Sequence, residues 1–380
     1  MPIPIERLGQ GDTHAMFRDS VRRFFALELD LDTWERERLT PRSFWRAAGE
    51  AGLLCPTVPE AYGGPGLDFS YNAIVTEELT YAGSSASLPL QSDIIADYFI
   101  HLGTEEQKRK YLPGMVNGSL ISAIAMTEPS AGSDLKSIRT RAIRDGNEYV
   151  ISGAKTYISS GQNADFVIVA AKTDPDGGAQ GISLLVVDAD SAGFSRGRKL
   201  DKIGQHSADT SELFFDEVRV PVDALIGGEG RGFAAIMTLM PQERLSQAIM
   251  GQASVQRAMD DTVRFTSDRR AFGRSVFDFQ NTQFVLAEIA TELQVGWSHL
   301  DWAINRHVAG KLTAVEASAA KLWHTETQWA SLDKCLQLHG GAGYMEEYPI
   351  ARMWRDARVQ RIYGGTSEIL KLVIGRSLKT

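Results

Sequence analysis

The chain has 380 residues, 43% of them hydrophobic and 23% charged, with a formal net charge of -8. This composition fits a soluble globular protein of two or three domains, and the acidic balance argues against a nucleic-acid binder while leaving room for a local basic pocket. Cys55 and Cys335 stand far apart without a CxxC, against a zinc site or disulfide framework, and no apolar run approaches the ~20 residues of a membrane span.

The N-terminus, MPIPIERLGQGD, has no basic stretch followed by an apolar core, so a cytoplasmic protein is expected. The first third reads helical. In THAMFRDSVRRFFALEL, Met16, Val21, Phe24 and Phe25 are expected on one helical face. TPRSFWRAAGEAGLL starts with Thr40 as N-cap and Pro41 in the first turn. SYNAIVTEELTYAG and TEEQKRKYLPGMVNG read as further helices. Between them, the small residues Gly83 to Ser87 leave a deep cavity or a tight helix crossing as equal alternatives.

Near Ile121 the texture changes. EYVISGAKTYIS, ADFVIVAAKT, GISLLVVDAD and SELFFDEVRVP are short, β-branched and separated by turn residues. Without long crossover helices between them, they predict a small antiparallel sheet or barrel. From about Gly230 the chain returns to long helices. Leu286, Ile289, Leu293, Trp297, Leu300 and Ile304 step by three or four residues and predict one apolar stripe, as in a helix bundle. The expected fold class is therefore α+β: an N-terminal helical domain (1–120), a middle antiparallel β-barrel (121–229) and a C-terminal four-helix bundle (230–380).

Several segments could carry chemistry, and each has a structural alternative. AMTEPSAGSD offers small and hydroxyl residues to a ligand, or closes a hairpin. In KTYISSG, Tyr157 and Ser159 would share a strand face, suited to a flat heterocycle or to a half-buried strand. SDRRAFGRSVFDFQ presents arginines to a pyrophosphate, or ends a helix with Arg269 and Arg270 on its dipole and Gly273 as the stop. QLHGGAG follows a helix and lacks GxGxxG spacing, and its His339 has no nucleophile beside it, which favours a packing or backbone role. MPQERLSQAIM places Pro241 in a first turn and Glu243 near the positive end of a helix dipole, which is also what a solvated helix start would show.

Together, and in order, PEAYGGPGLD, AMTEPSAGSD, KTYISSG, SELFFDEVRVP, DRRAFG and QLHGGAGY…YGGTSEI resemble the acyl-CoA dehydrogenase family over nearly the whole chain. The resemblance implies an FAD enzyme, usually a homotetramer, that converts an acyl-CoA to a trans-2-enoyl-CoA and passes electrons to an electron-transferring flavoprotein. It implies FAD contacts from Met126, Thr127, Gly132, Ser133, Tyr157, Ile158 and Ser159. It implies others, shared across a subunit interface, from Arg269, Phe272, Gln280, Gln337, Leu338, His339, Gly340 and Gly341, and after the tail glycines from Gly365, Thr366 and Ser367. Ser133, Gln242, Arg244 and Gly364 are implied on the substrate side, with no metal.

Most members of the family carry the catalytic glutamate where this chain has Gly364. In the branches resembling long-chain and isovaleryl-CoA dehydrogenases it lies on an earlier helix, at the position of Glu243. Glu243 is then the expected base, and the Gly364 N–H an expected donor to the thioester carbonyl, with Gly364 leaving room for the incoming carboxylate. A flavin oxidase or oxygenase on the same fold, and a flavin-binding scaffold without catalysis, are the rival readings.

Overall fold

The computed structural model describes residues 7–379; residues 1–6, on which part of the N-terminal reading falls, lie outside the described residues. The chain runs helices, sheet, helices. The first body holds α1 (Asp12–Glu28), α2 (Leu31–Glu37), α3 (Arg42–Glu50), α4 (Phe69–Tyr81), α5 (Ala96–Leu102) and α6 (Glu105–Val116). A wider π-type turn, Leu90–Ile95, leads directly into α5. In α1, Val21 and Phe25 are buried, but Met16 is 72% exposed. Five residues at 100° each put Met16 about 140° from Val21, off the apolar stripe. Thr40 is not the cap of α3 either. Pro41 takes that place, and the Thr40 hydroxyl donates to the Ser207 carbonyl at 2.8 Å, tying the helical body to the sheet.

The sheet comprises β1 (Ser122–Ala125), β2 (Arg141–Asp145), β3 (Glu148–Ser159), β4 (Phe166–Lys172), β5 (Ile182–Asp188), β6 (Phe194–Lys199), β7 (Thr210–Pro221) and β8 (Leu225–Ile226). Its order is β6-β7-β3-β2-β4-β5-β8, with β1 on β4. The pairings β2–β3, β3–β7, β6–β7, β4–β5 and β5–β8 are antiparallel, as expected. β1 runs parallel to β4, because the β2–β3 hairpin between them supplies a connection long enough for a crossover. β4 shows why its sequence reads as a continuous apolar run. Phe166, Ile168 and Ala170 face the core shared with the helical body, while Val167, Val169 and Ala171 face the sheet's own core.

The last part contains α7 (Gly232–Asp268), a small hairpin of β9 (Arg270–Ala271) and β10 (Arg274–Ser275), α8 (Gln280–Val308), α9 (Ala314–His339), α10 (Pro349–Ala357) and α11 (Ser367–Ser377). α7, α8 and α9 pack on one another, with α11 along α9 and α4 against α7. The predicted stripe of α8 is buried at all six positions. α7 differs from its sequence reading. Pro241 lies inside the 37-residue helix rather than in its first turn, because the apolar run GFAAIMTLM before it is already helical and packs Ala235 and Ile236 into the first core. The α7 terminus at Gly232 is thus three turns away from Glu243, and the helix dipole cannot be what favours that carboxylate.

Candidate active site

Glu243 projects from the middle of α7 toward the tail that follows α10. The residue is half-buried, and desolvation of its carboxyl raises its pKa above the usual 4.5. The positive charges of Arg244 and Lys321 and a hydrogen bond from Gln247 work against that rise. Arg244 is buried, donates to the Ser318 hydroxyl at 2.9 Å and reaches the Gly364 carbonyl at 3.5 Å. The phenol groups of Tyr98 on α5 and Tyr363 in the tail also feel the Glu243 charge.

Gly364 adopts φ +60°, in the left-handed region. A Cβ there would lie 2.3 Å from both amide atoms of Gln247. The room that the glycine leaves is therefore filled by the Gln247 amide, whose Nε2 donates to Glu243 Oε1 at 3.3 Å. Gln247 Oε1 is buried and has no hydrogen-bond partner. Glu243 and Gln247 are one helical turn apart, so this carboxyl and the group packed against the tail come from one face of α7.

The helical step of about 100° turns Gln242 away from this face. Gln242 is buried, donating to the Asp93 carbonyl at 2.6 Å and contacting His307 Nε2 at 2.6 Å, so it is a packing residue rather than a substrate contact. Asp93 in the π-type turn also accepts from Ser246 at 2.7 Å, Thr76 at 2.8 Å and Asn72 at 3.0 Å. Through its carboxyl and its backbone carbonyl, Asp93 joins α4, the turn before α5, and α7 on either side of Glu243. Burial pushes Asp93 up to about 6 and neighbouring Asp97 up to about 7. The small run before them is packed rather than open: Ser84 and Ala86 are buried, and Ser85 Oγ contacts Ser207 Oγ at 2.6 Å.

A second group of predicted residues converges at the end of β3. The Thr156 N–H donates to the Thr127 carbonyl at 3.0 Å. Lys155, fully buried, donates to the Met126 carbonyl at 3.0 Å and to Glu128 at 2.9 Å, while Glu128 accepts from the Arg139 and Thr140 N–H groups. Tyr157 and Ser159 do not simply share a strand face. A bulge between Lys155 and Ile158 sets Tyr157 at φ +60° and leaves it 69% exposed, with Ser159 half-buried. The Ile158 side chain turns into the sheet core. Met126 packs on the same core as Leu239 and Met240, within a turn of Glu243. Gly132 and Ser133 lie exposed on the adjoining loop.

This ledge fits a flavin. It presents an aromatic ring without an internal cover, the hydroxyls of Thr127, Ser133 and Ser159, and backbone held by a buried ion pair. The tail contributes Gly365, also at positive φ. Thr366 caps α11 by accepting from the Ile369 N–H at 3.3 Å, and buried Ser367 donates to Glu326, so both side chains are committed to structure.

The third group lies elsewhere. Arg269, Phe272, Gln280, Gln337, Gly340 and Gly341 are exposed at the far ends of α7 and α9, where Phe265 stacks on His339 at 4.3 Å. Phe272 is 96% exposed, and a Cβ at Gly340 or Gly341 would meet nothing within 4 Å. Leu338 packs on the bundle, and His339 is buried against the Cys335 carbonyl, the packing role its sequence context suggested. α7 itself ends at Asp268, before Gly273, which serves the β9–β10 hairpin instead. From Arg244 to Arg269 the helix rises by about 37 Å at 1.5 Å per residue, so the tail and this group are at opposite ends of the bundle.

Three family models match in order: acyl-CoA dehydrogenase N-terminal domain over residues 11–119, middle domain over 123–218 and C-terminal domain over 230–379. The long-chain specific acyl-CoA dehydrogenase of Sus scrofa is 43% identical, over 99% of this chain and 88% of its own length. The 2-methylacyl-CoA dehydrogenase of Solanum tuberosum is 35% identical, over 97% of this chain and 90% of its own. An acyl-CoA dehydrogenase structure from Geobacillus kaustophilus superposes with a TM-score of 0.97 at 47% identity, covering 99% of this chain and 100% of that one.

Proposed function

The chain belongs to the acyl-CoA dehydrogenase family and is an FAD-dependent acyl-CoA dehydrogenase, and we propose that Glu243 is its catalytic base and Gly364 N–H a donor to the thioester carbonyl. The observation that carries this reading is the pairing of a desolvated Glu243 carboxyl with a left-handed Gly364 whose side-chain room is taken by the glutamate's own hydrogen-bond partner, Gln247. A base at residue 364 is excluded by identity, and Glu243 is the carboxylate whose hydrogen-bond partner, Gln247, packs against Gly364.

The α-proton of a thioester is far too weakly acidic to leave unaided. A donor at the thioester oxygen stabilises the charge that develops as the proton leaves. The Gly364 N–H has no backbone acceptor among the described residues, so it is free for that role. Glu243 removes the α-proton, and its raised pKa makes it a stronger base than an exposed glutamate. Met126, Thr127, Tyr157 and Ser159 would hold FAD, which supplies a hydride acceptor for the β-carbon when bound.

Arg269, Phe272, Gln280, Gln337, Gly340 and Gly341 serve the FAD of a neighbouring copy in this reading, which makes the working unit a homo-oligomer, a tetramer in the family's usual form. Their position at the opposite end of the bundle from the tail supports that sharing. An electron-transferring flavoprotein is the proposed acceptor. Two buried free thiols, Cys55 and Cys335, are compatible with a reducing cytoplasm. Among the described residues no helix is long and apolar enough to cross a membrane.

Anaerobic mixing of the flavin-loaded protein with straight-chain and branched acyl-CoAs tests the reading. Bleaching of oxidised flavin by a subset, lost in Glu243→Gln, is the expected result. Bleaching retained in Glu243→Gln would require another base. Rapid peroxide formation in air would favour the oxidase reading, and no bleaching by any thioester the scaffold.

A further inference from the structure

Lys321 on α9 is fully buried, and its hydrogen-bond partners are two carbonyl oxygens, those of Tyr363 and Gly365, each at 2.6 Å. A buried ammonium without a directly bonded carboxylate is costly, and a methionine of similar length would avoid that cost. What it holds are the carbonyls of the two residues on either side of Gly364, and the first of them, that of Tyr363, shares its peptide with the Gly364 N–H. A trans peptide carries its C=O and the following N–H on opposite edges, and the described chain has no cis bond. With the Tyr363 carbonyl turned onto Lys321, the Gly364 N–H is turned away from α9.

We propose that Lys321 is a positioning residue for the dehydrogenation, aiming the Gly364 N–H at the thioester and supplying the fixed positive charge against which Glu243 works. The inference rests on the function proposed above. Two observations meet in it. The brace acts on both carbonyls around the one tail residue whose N–H is assigned to the substrate. The same ammonium also lowers the Glu243 pKa, while burial lowers that of Lys321 and Glu243 raises it, leaving it down at about 8. The groups facing Glu243 are Arg244 and Gln247 from α7, Lys321 from α9, Tyr98 from α5 and Tyr363 from the tail. Of the two cations, Arg244 is tied to Ser318 and to the Gly364 carbonyl at 3.5 Å, whereas Lys321 grips the tail at two closer points.

The test compares wild type with Lys321→Met, which loses donors and charge, and Lys321→Gln, which keeps donors without charge. Flavin content and melting temperature establish that each variant is folded. Carboxyl-labelled glutamate, with the Glu243 resonance assigned by its loss in Glu243→Gln, gives the Glu243 titration by carbon NMR without any substrate. The midpoint should move to higher pH in both variants, since the positive charge that lowers it is gone. The limiting rate of flavin bleaching should fall by roughly tenfold to a hundredfold in Lys321→Met, less in Lys321→Gln, with acyl-CoA affinity nearly unchanged. An unmoved Glu243 midpoint, or a Lys321→Met enzyme as fast as wild type, would overturn the assignment. A wild-type protein that bleaches with no thioester would sink the dehydrogenase reading instead, and with it the aiming role, while the NMR titration would still decide the charge coupling.

Discussion

Replacing Gly364 by alanine tests the packing that defines the site. The residue sits at φ +60°, which costs an L side chain about 1–2 kcal/mol. The new Cβ would lie 2.3 Å from the Gln247 amide, so α7 or the tail must shift, an overpacking cost of about 1–3 kcal/mol. Reduced chain entropy in the unfolded state returns about 0.4–1 kcal/mol. The net loss is about 1–4.6 kcal/mol, a fall of several degrees in thermal midpoint at fixed protein and FAD concentration. In a Gln247→Ala background the collision disappears and only the backbone cost remains. A double-mutant cycle should therefore return a coupling of about 1–3 kcal/mol. Gly364→Ala should also slow flavin bleaching by displacing Gln247 from Glu243. A Gly364→Ala protein as stable as wild type, or a cost unchanged by Gln247→Ala, would refute the claim that Gln247 occupies the vacated room.

Other consequences follow from the same geometry. Since burial raises Glu243 above 4.5, the acidic limb of the flavin-bleaching rate should lie above that value, and it should be absent in Glu243→Gln, which still binds FAD and acyl-CoA. Asp97 stands at about 7, above its ordinary 3.8, so the folded protein holds a proton that the unfolded chain releases in that window. Its contribution to stability is present at the acidic end and lost as pH rises through 7; Asp97→Asn should flatten that slope and raise the melting temperature at mildly alkaline pH, and a slope left unchanged would count against it. Lys155→Met strands the buried Glu128 carboxylate and should cost about 3–5 kcal/mol by thermal or chemical unfolding, with faster FAD loss because the Met126–Glu128 loop is freed.

What could be read from the sequence was what repeats locally. The stripe of α8 and the apolar runs of β4 and β5 follow from periodicity and turn chemistry, and they appear where expected. What could not be read depended on partners distant in the chain. Pro241 looks like a helix start because nothing local reveals that the preceding turns are buried against another body. The bulge that flips Tyr157 outward is set by the pairing of β3 with β7, some 55 residues further on. Gln242 and Glu243 are adjacent in sequence, yet one joins a buried carboxyl network and the other faces the tail. Lys321 and Gln247 left only faint signals: a lysine inside the small-residue run EASAAKLW, and an amide four residues after a candidate base.

The position of the proposed base has a mechanical meaning. A carboxylate placed at residue 364 would stand on a left-handed turn after a short helix, held by its backbone alone. A carboxylate at residue 243 stands on a long helix fixed on both sides of it. Gln242 and Ser246 are tied to Asp93, Arg244 is tied to Ser318, and Gln247 is wedged against the tail. Rotation of α7 by even a fraction of a turn would break several of these buried bonds together, so the Glu243 carboxyl has little freedom beyond its own rotamers. The tail is relieved of a side chain and can be specialised as backbone, with its carbonyls on Lys321 and its N–H free. The proposed base and oxyanion donor thus come from two separately braced elements, which meet where Arg244 reaches the Gly364 carbonyl and, against Glu243 itself, through Gln247. Loosening the Gln247 contact should damage proton abstraction before it damages the fold.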